Sequence, residues 1–228
     1  AGGPVATATD GAPLPPQRES MSLADRWILS RLQRVTGEVT DLMERYLFHE
    51  AGRQLYEFLW SEFCDWYIEA SKVSLAEDGA RAQAARQTLA TVLEQALRLL
   101  HPFMPFVTEE LWQRLPHAGD SIMVAPWPAV DPAWIDEEAE REFGFLMEAI
   151  RAIRNARAEA GVEPARWIHA TIYPGSHRVT LEQSEPVFRF LARVAEGGVQ
   201  YLDELLEAPE QVVTLVVDDA VIYLPLRG

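Results

Sequence analysis

The side chains best suited to binding chemistry lie on one face of a predicted helix. Asp65, Ile68 and Lys72 are three and four residues apart, so they share one side of an α-helix. They offer a hydrogen-bond acceptor, an apolar surface and a cation. Such a set suits an unpaired RNA base packed on the isoleucine, with the ammonium placed for a phosphate. The plain alternative is an isolated exposed isoleucine among charged neighbours.

A second group of cations recurs at intervals of three residues along a later segment with helical periodicity. Its members are Arg151, Arg154 and Arg157. We predict that these guanidinium groups, together with the ammonium of Lys72, contact phosphate groups. In the alternative interpretation they are helix-surface cations that pair with Glu148 and Glu159. A salt titration separates the two, because each lost phosphate contact lowers the salt dependence of RNA binding by about one log unit.

No catalytic motif accompanies these candidates. Lys72 is the only lysine, which excludes a phosphate-binding loop of the G-x-x-x-x-G-K type, and no G-x-G-x-x-G, G-x-S-x-G or H-E-x-x-H sequence occurs. The single cysteine, Cys64, excludes an internal disulfide and a thiolate zinc cluster. We therefore predict no catalytic residue, no metal site and no cofactor-binding residue in this chain.

The overall charge restricts the classes of partner. The chain has 20 basic and 35 acidic residues, a formal net charge of −15. General nucleic-acid binders usually carry an excess of positive charge, so any RNA recognition has to come from a local surface. The sequence shows no secretory signal, and no segment approaches the roughly 18 uninterrupted apolar residues of a membrane span. We expect a cytoplasmic protein.

The elements that position these residues are helical from about residue 22 to residue 161. Apolar spacing predicts five helices, which span Ser22 to Tyr46, His49 to Leu75, Arg81 to Leu100, Pro105 to Leu115 and Asp136 to Ala160. Ser22 and Asp25 form a predicted capping box, and His101-Pro102 stops the third helix. The proline-rich segment Ser121–Pro132 is expected to be extended.

Two apolar sets are expected to form the core of this bundle. One is the broad face of the second helix, made by Leu55, Phe58, Leu59, Phe63, Trp66, Tyr67, Ala70 and Val73. Tyr56 and Trp60 lie at the edge of that face. The other set follows the proline corner after the third helix, where Phe103, Phe106 and Trp112 are expected to plug the bundle. The aromatic residues of both sets are therefore interpreted first as packing residues.

The hydrophobic period changes after Gly161. The predicted elements are a strand over Trp167–Tyr173, a helix over Glu185–Ala195, and strands over Gln211–Val217 and Ala220–Leu226 that are joined at Asp218-Asp219. We therefore predict a mainly α fold. Its parts are a linker or irregular segment over residues 1–21, a helical bundle over 22–161 and a small α/β module over 162–228.

Three stretches of this sequence, taken in order, resemble a known family. They are LADRWILSRL from Leu23, FCDWYIE from Phe63 and HPFMPF from His101. In this order they resemble the anticodon-binding domain of class I aminoacyl-tRNA synthetases. Within that family, CDWYIE from Cys64 and IRAIRNARAE from Ile150 are most similar to the valyl members. The resemblance covers about residues 22–228.

The resemblance implies a tRNA-reading helical bundle without an active site of its own. Such domains hold the anticodon stem-loop, and the partner implied here is valine tRNA. ATP and Mg²⁺ would bind in the catalytic domain of a parent ligase, whose HIGH-like and KMSKS-like sequences are not in this chain. A coiled-coil arm that commonly follows the α/β module in valyl enzymes is also absent. Because the last predicted strand ends at the C-terminus without a cap or tail, we expect the natural chain to continue. We further expect a monomer that binds neither DNA nor membranes.

Two alternatives remain open from the sequence. Within the same family, the domain could serve an isoleucyl or leucyl enzyme, which a comparison of valine and isoleucine tRNA would settle. In a different class, it could be an acidic helical module that docks another protein and has no RNA role. Titration with labelled tRNA would separate these classes.

Overall fold

The computed structural model describes residues 3–205 and 212–225. The chain divides into two compact units, Ala1–Glu140 and Arg141–Gly228, whereas the sequence pattern changes only at residue 161. The predicted fold class is confirmed: the elements are mainly helical, and a small four-stranded sheet lies near the C-terminus.

Helices make up most of the first unit. They are α1 (Leu23–Glu44), α2 (Phe48–Glu57), a π-helical segment (Phe58–Ile68), α3 (Glu69–Ala76), α4 (Ala80–Leu100) and α5 (Pro105–Trp112). The predicted capping box at the start of α1 is confirmed. The Asp25 amide donates to Ser22 Oγ (3.2 Å), and the Ser22 amide donates to Asp25 Oδ2 (2.8 Å). These two bonds satisfy backbone donors that a helix start leaves unpaired.

The second predicted helix runs antiparallel to α1. Gln54 Nε2 donates to Glu38 Oε2 (2.5 Å), and the Tyr67 hydroxyl donates to Asp25 Oδ1 (2.5 Å). Gln54 therefore contacts the later part of α1, whereas Tyr67, further along the second helix, contacts the earlier part of α1. Burial raises the pKa of the Asp25 carboxyl, and the hydrogen bonds from Tyr67 and Ser22 oppose that rise. This buried pair fixes the position of the helix at its C-terminal half.

The second predicted helix is continuous but contains a π-helical segment, Phe58–Ile68, that the sequence pattern did not predict. A π-helix bonds each residue to the one five positions away, so its turns are wider than those of an α-helix. The predicted core face is nevertheless confirmed for Leu55, Phe58, Phe63, Trp66, Tyr67 and Ala70, which are buried. Leu59 and Val73 are only partly buried.

The proline corner between α4 and α5 confirms the prediction for Trp112, whereas Phe103 is only partly buried and Phe106 is exposed. Trp112 is buried, and its indole N–H donates to Glu94 Oε1 (2.9 Å) beside Leu97 and Ile122. The expectation that Phe106 also plugs the bundle is wrong, because its side chain is 91% exposed. Helix α5 buries Thr108 and Trp112, four residues apart, so Phe106 belongs to its opposite side.

Irregular segments flank these helices. Residues near the N-terminus form a β-bridge between Thr7 and Pro13, followed by a 3₁₀ turn. The segment expected to be extended contains the 3₁₀ turn Ile122–Val124, and a second such turn follows at Pro132–Trp134. Asp136 then caps the next helix, because its Oδ1 accepts from the Ala139 amide at 2.9 Å.

The second unit combines a helical stretch with the sheet. Its elements are most of α6 (Glu137–Glu159), then β1 (Ile168–Tyr173), α7 (Arg178–Gln183), α8 (Glu185–Ala192), β2 (Val194–Tyr201), β3 (Val213–Val217) and β4 (Ala220–Leu224). The strand order is β2-β1-β4-β3. β1 and β2 are parallel and joined through α7 and α8, whereas β4 pairs antiparallel with both β1 and β3.

The predicted helix Glu185–Ala195 is three residues too long, and strand β2 was not predicted. Helix α8 ends at Ala192 because Arg193 adopts a left-handed conformation (φ 59°). The strand that follows contains Gly197 and Gly198 and forms an irregular register with β1. Two adjacent glycines interrupt the alternating apolar pattern from which a strand is recognised. Residue 211 and Leu226, at the ends of the other predicted strands, lie outside the described residues.

Candidate nucleic-acid interface

Asp65 and Ile68 belong to the last turn of the π-helical segment, and Lys72 to the first turn of α3. Asp65 and Lys72 are exposed, but Ile68 is partly buried, whereas both sequence interpretations took it as exposed. Its contact with an RNA base stays a prediction. Lys72 Nζ lies 2.5 Å from Glu69 Oε1. An exposed ion pair of this kind contributes about 0–1 kcal/mol, so a phosphate could replace the carboxylate at little cost.

The three arginines of α6 lie in different environments. Arg151 and Arg154 are exposed, and Arg154 Nε donates to the carbonyl of Leu191 at 3.0 Å. Arg157 is only 5% exposed. The three are therefore not an equivalent row of surface cations, although their spacing in the sequence is regular.

The Arg157 side chain is buried in the second unit, where it hydrogen-bonds to main-chain carbonyls. One terminal nitrogen donates to the carbonyl of Ala192 (2.9 Å), and the other donates to that of Arg166 (2.7 Å). The carbonyls of Glu163 and Pro164 also lie within 3.3 Å. These partners correct the alternative interpretation for Arg157, since its guanidinium contacts main-chain carbonyls and not Glu148 or Glu159. A phosphate contact by Arg157 stays a prediction. The guanidinium N–H groups satisfy carbonyls at the end of α8 and in the loop before β1.

Neither a metal centre nor a membrane span is found among the described residues. Over residues 3–205 and 212–225, no group of three or more His, Cys, Asp or Glu side chains could hold a metal ion. No helix in the same part of the chain is both long and apolar enough to cross a membrane.

Exposed aromatic side chains concentrate at one end of the first unit. α1 ends and α2 begins at this end, where Tyr46 is 80% exposed and Phe48 is 49% exposed. The corner between α4 and α5 meets it there, because the Phe103 ring lies 3.6 Å from the position that a Cβ on Gly52 would occupy. This corner contributes Phe106. We call Tyr46, Phe48 and Phe106 the aromatic end.

Tyr46 occupies a backbone conformation that normally selects glycine. Its φ is 60°, in the left-handed region, where a bulky residue is unusual. The amides of Tyr46 and Leu47 donate to the carbonyls of Met43 (3.1 Å) and Leu42 (2.9 Å), the two bonds of a Schellman helix end. A tyrosine there costs about 1 kcal/mol relative to glycine. Because its side chain is mostly exposed, packing does not repay that cost.

A pair of exposed rings lies further along the same helix. Tyr56 and Trp60 are 63% and 59% exposed, and their rings are nearly parallel, with centroids 6.2 Å apart. Arg53 and Arg45 lie nearby in the sequence, and each forms an exposed ion pair with a carboxylate four residues away. Exposed aromatic rings can stack on unpaired bases. Arginines in weak exposed ion pairs can exchange the carboxylate for a phosphate that connects those bases.

The sequence interpretation missed this surface because it assigned aromatic residues to the core first. Tyr56 and Trp60 were placed at the edge of the apolar face, and their spacing of four residues was the available signal. Tyr46 gave no such signal, because its spacing made it the last apolar position of the first predicted helix. Nothing in the local pattern indicated that Phe106 would lie at the same end as Tyr46.

Comparison with known proteins identifies the family. The family described as "Anticodon-binding domain of tRNA ligase" matches residues 25–172. Proteins named valine--tRNA ligase are similar over most of the chain: 44% identical over 209 residues in Oceanobacillus iheyensis and 43% over 208 residues in Bacillus subtilis. Each of these alignments covers 91% of this chain and 24% of the relative, so the chain spans about a quarter of their length. The chain belongs to the family of anticodon-binding domains of tRNA ligases.

Proposed function

We propose that this chain recognises the anticodon stem-loop of valine tRNA as the anticodon-reading part of a valine–tRNA ligase. The observation that carries the proposal is the 44% identity with a valine–tRNA ligase over nine tenths of this chain, which includes the whole match to the anticodon-binding family. In the complete ligase, ATP and Mg²⁺ would serve the activation of valine in another domain. The residues of this chain bind and orient the RNA and take part in no bond-forming step.

The geometry of the first unit supports the binding of unpaired bases. An anticodon loop presents unstacked bases, and each base can stack on an exposed aromatic ring for about 1–3 kcal/mol. The aromatic end and the Tyr56–Trp60 pair supply such rings, and Arg53, three residues before Tyr56, supplies an exposed cation. With a net charge of −15, general electrostatic attraction cannot hold the RNA, so these local contacts have to provide the affinity.

Exchange of the anticodon tests this proposal directly. Labelled valine tRNA and the same tRNA carrying an isoleucine anticodon are titrated with the chain at fixed salt. We expect the valine anticodon to bind at least tenfold more tightly, about 1.4 kcal/mol. Equal affinities would remove the anticodon specificity, and a preference for the isoleucine anticodon would assign the domain to an isoleucyl enzyme. Absence of binding to both would favour a protein-docking role.

Tyr46 offers a test in which stability and binding are expected to change in opposite directions. Tyr46→Gly removes the left-handed strain of about 1 kcal/mol, partly offset by loss of the edge-on contact with Phe48, whose ring centroid lies 6.0 Å away. We expect a free energy of unfolding that is unchanged or higher, measured in urea. Affinity for valine tRNA should fall at least fivefold, in line with the loss of about 1 kcal/mol of stacking.

Tyr46→Phe is the matched control for this experiment. It keeps a ring in the same backbone conformation and should keep most of the tRNA affinity. If Tyr46→Gly binds valine tRNA as well as the unaltered chain does, the exposed tyrosine has no part in RNA recognition.

A further inference from the structure

A pocket in the second unit is lined by arginines. Its volume is about 380 Å³, and it lies between the last turns of α6 and the end of α8. Three of its lining residues are Arg154, Arg157 and Arg193, and the others are apolar. Within residues 3–205 and 212–225, the lining contains no carboxylate, although acidic residues outnumber basic ones in the chain.

The three cations lie close enough to act on one another. The pKa of the Arg157 guanidinium is lowered, first by burial and then by the positive charges of Arg193 and Arg154. The like charges of Arg157 and Arg193, gathered at one pocket, contribute a local positive potential. Arg157, and Arg154 through its Nε, already donate to carbonyls at the end of α8, which accounts for their positions. That role does not account for Arg193.

Arg193 combines an exposed side chain with a strained backbone. It is the residue that ends α8, and its φ of 59° lies in the left-handed region, where glycine is favoured. Its guanidinium lies over the Trp167 ring, 5.3 Å from the centroid, a contact that uses none of its N–H donors. Trp167 is itself 45% exposed. An arginine kept at a glycine position, at the rim of a positive pocket, indicates a use for its side chain.

We propose that the pocket formed by Arg154, Arg157 and Arg193 binds a phosphate group of an RNA backbone, with Arg193 as the donor at its rim. A guanidinium presents paired N–H groups that match two phosphate oxygens, which an ammonium cannot do. The apolar walls contributed by Val162 and Pro164 exclude water from one side of the contact. The identification of the RNA as tRNA rests on the proposed function, whereas the phosphate chemistry does not.

Substitution of Arg193 by glycine tests the proposal while it relieves the backbone strain. Binding of valine tRNA by the full chain is measured by fluorescence anisotropy at several salt concentrations. We expect Arg193→Gly to weaken binding about fivefold to tenfold at low salt. The slope of log K against log salt should decrease by about 0.7–0.9, the value for one lost phosphate contact. The urea midpoint should be unchanged or higher.

Arg141→Ala is the matched control, since it removes one cation of the same unit whose side chain is 64% exposed. Its salt slope should equal that of the unaltered chain. An Arg193→Gly slope that is also unchanged would overturn the proposal. A lowered urea midpoint would overturn it as well, because it would assign Arg193 to the fold.

Inorganic phosphate separates an RNA phosphate from a free one. The indole N–H signal of Trp167, assigned by Trp167→Phe, should shift when inorganic phosphate is added and should not respond in Arg193→Gly. A phosphate response without any effect of Arg193→Gly on tRNA binding would show a site for free phosphate only and exclude the RNA backbone. A response only to an acidic peptide would assign the pocket to a protein partner.

Failure of the proposed function can be distinguished from failure of this pocket. The tRNA with the exchanged anticodon carries the same backbone charge as valine tRNA. If both bind equally and Arg193→Gly lowers both salt slopes, the pocket is supported and the anticodon specificity is not.

Discussion

Arg157→Ala is expected to lower the free energy of unfolding of the second unit by about 3 kcal/mol or more. Arg157 is 5% exposed and donates to carbonyls in the loop before β1 and at the end of α8. Alanine would leave these carbonyls without their donor, and each buried unsatisfied group costs about 1–3 kcal/mol. Urea denaturation and amide hydrogen exchange in β1 and β2 measure the loss.

Arg151→Ala is the control on the same helix. Arg151 is exposed, and exposed substitutions usually change stability by no more than about 0.5 kcal/mol. If Arg157 contacted only a phosphate, Arg157→Ala would keep the urea midpoint and would reduce the salt dependence of tRNA binding.

Trp66→Ala is expected to lower the free energy of unfolding of the first unit by about 3–5 kcal/mol, as for other large-to-small core substitutions. Trp66 is 6% exposed on the buried face of its helix. Trp60 has the same side chain six residues earlier but is 59% exposed. Trp60→Ala should therefore change the unfolding free energy by no more than about 0.5–1 kcal/mol. Thermal and urea denaturation of both variants make the comparison.

Trp60→Ala is expected to lower the affinity for tRNA although it leaves the stability nearly unchanged. Trp60→Ala should bind valine tRNA at least fivefold more weakly while it stays folded, because one stacking surface of about 1 kcal/mol or more is lost. Wild-type affinity in Trp60→Ala would remove the Tyr56–Trp60 pair from the RNA interface. Wild-type stability in Trp66→Ala would show that the buried face of the helix has been assigned to the wrong residues.

Local sequence signals predicted most of the helices. The Ser22–Asp25 capping box starts α1 within its own first turn, and Pro105 starts α5 because its missing N–H costs nothing at the first helical position. Apolar spacing also predicted the buried face of the second helix, including Trp66 and Tyr67. All of these signals act between residues a few positions apart, so they can be evaluated without the rest of the chain.

Strand β2 and the end of α8 could not be predicted in the same way. A parallel partner in β1 stabilises Val194–Tyr201 although Gly197 and Gly198 interrupt its apolar pattern. That pairing depends on the crossover through α7 and α8, which brings the two strands side by side. When a strand is stabilised mainly by a partner that is distant in the sequence, its own residues need not show the alternating apolar pattern from which strands are predicted.

The mainly helical fold, the core face of the second helix and the resemblance to the anticodon-binding family can all be recognised from local sequence patterns. Which polar and aromatic side chains are available at the surface depends instead on contacts between distant parts of the chain. Arg157 and Arg154 have similar sequence surroundings, yet one is buried because carbonyls from the end of α8 and the loop before β1 meet around it. Tyr46 and Phe106 lie 60 positions apart, and the return of α4 brings them to one end of the bundle. Periodicity reports only neighbours along the chain, whereas burial and hydrogen-bond partners depend on residues that folding brings together.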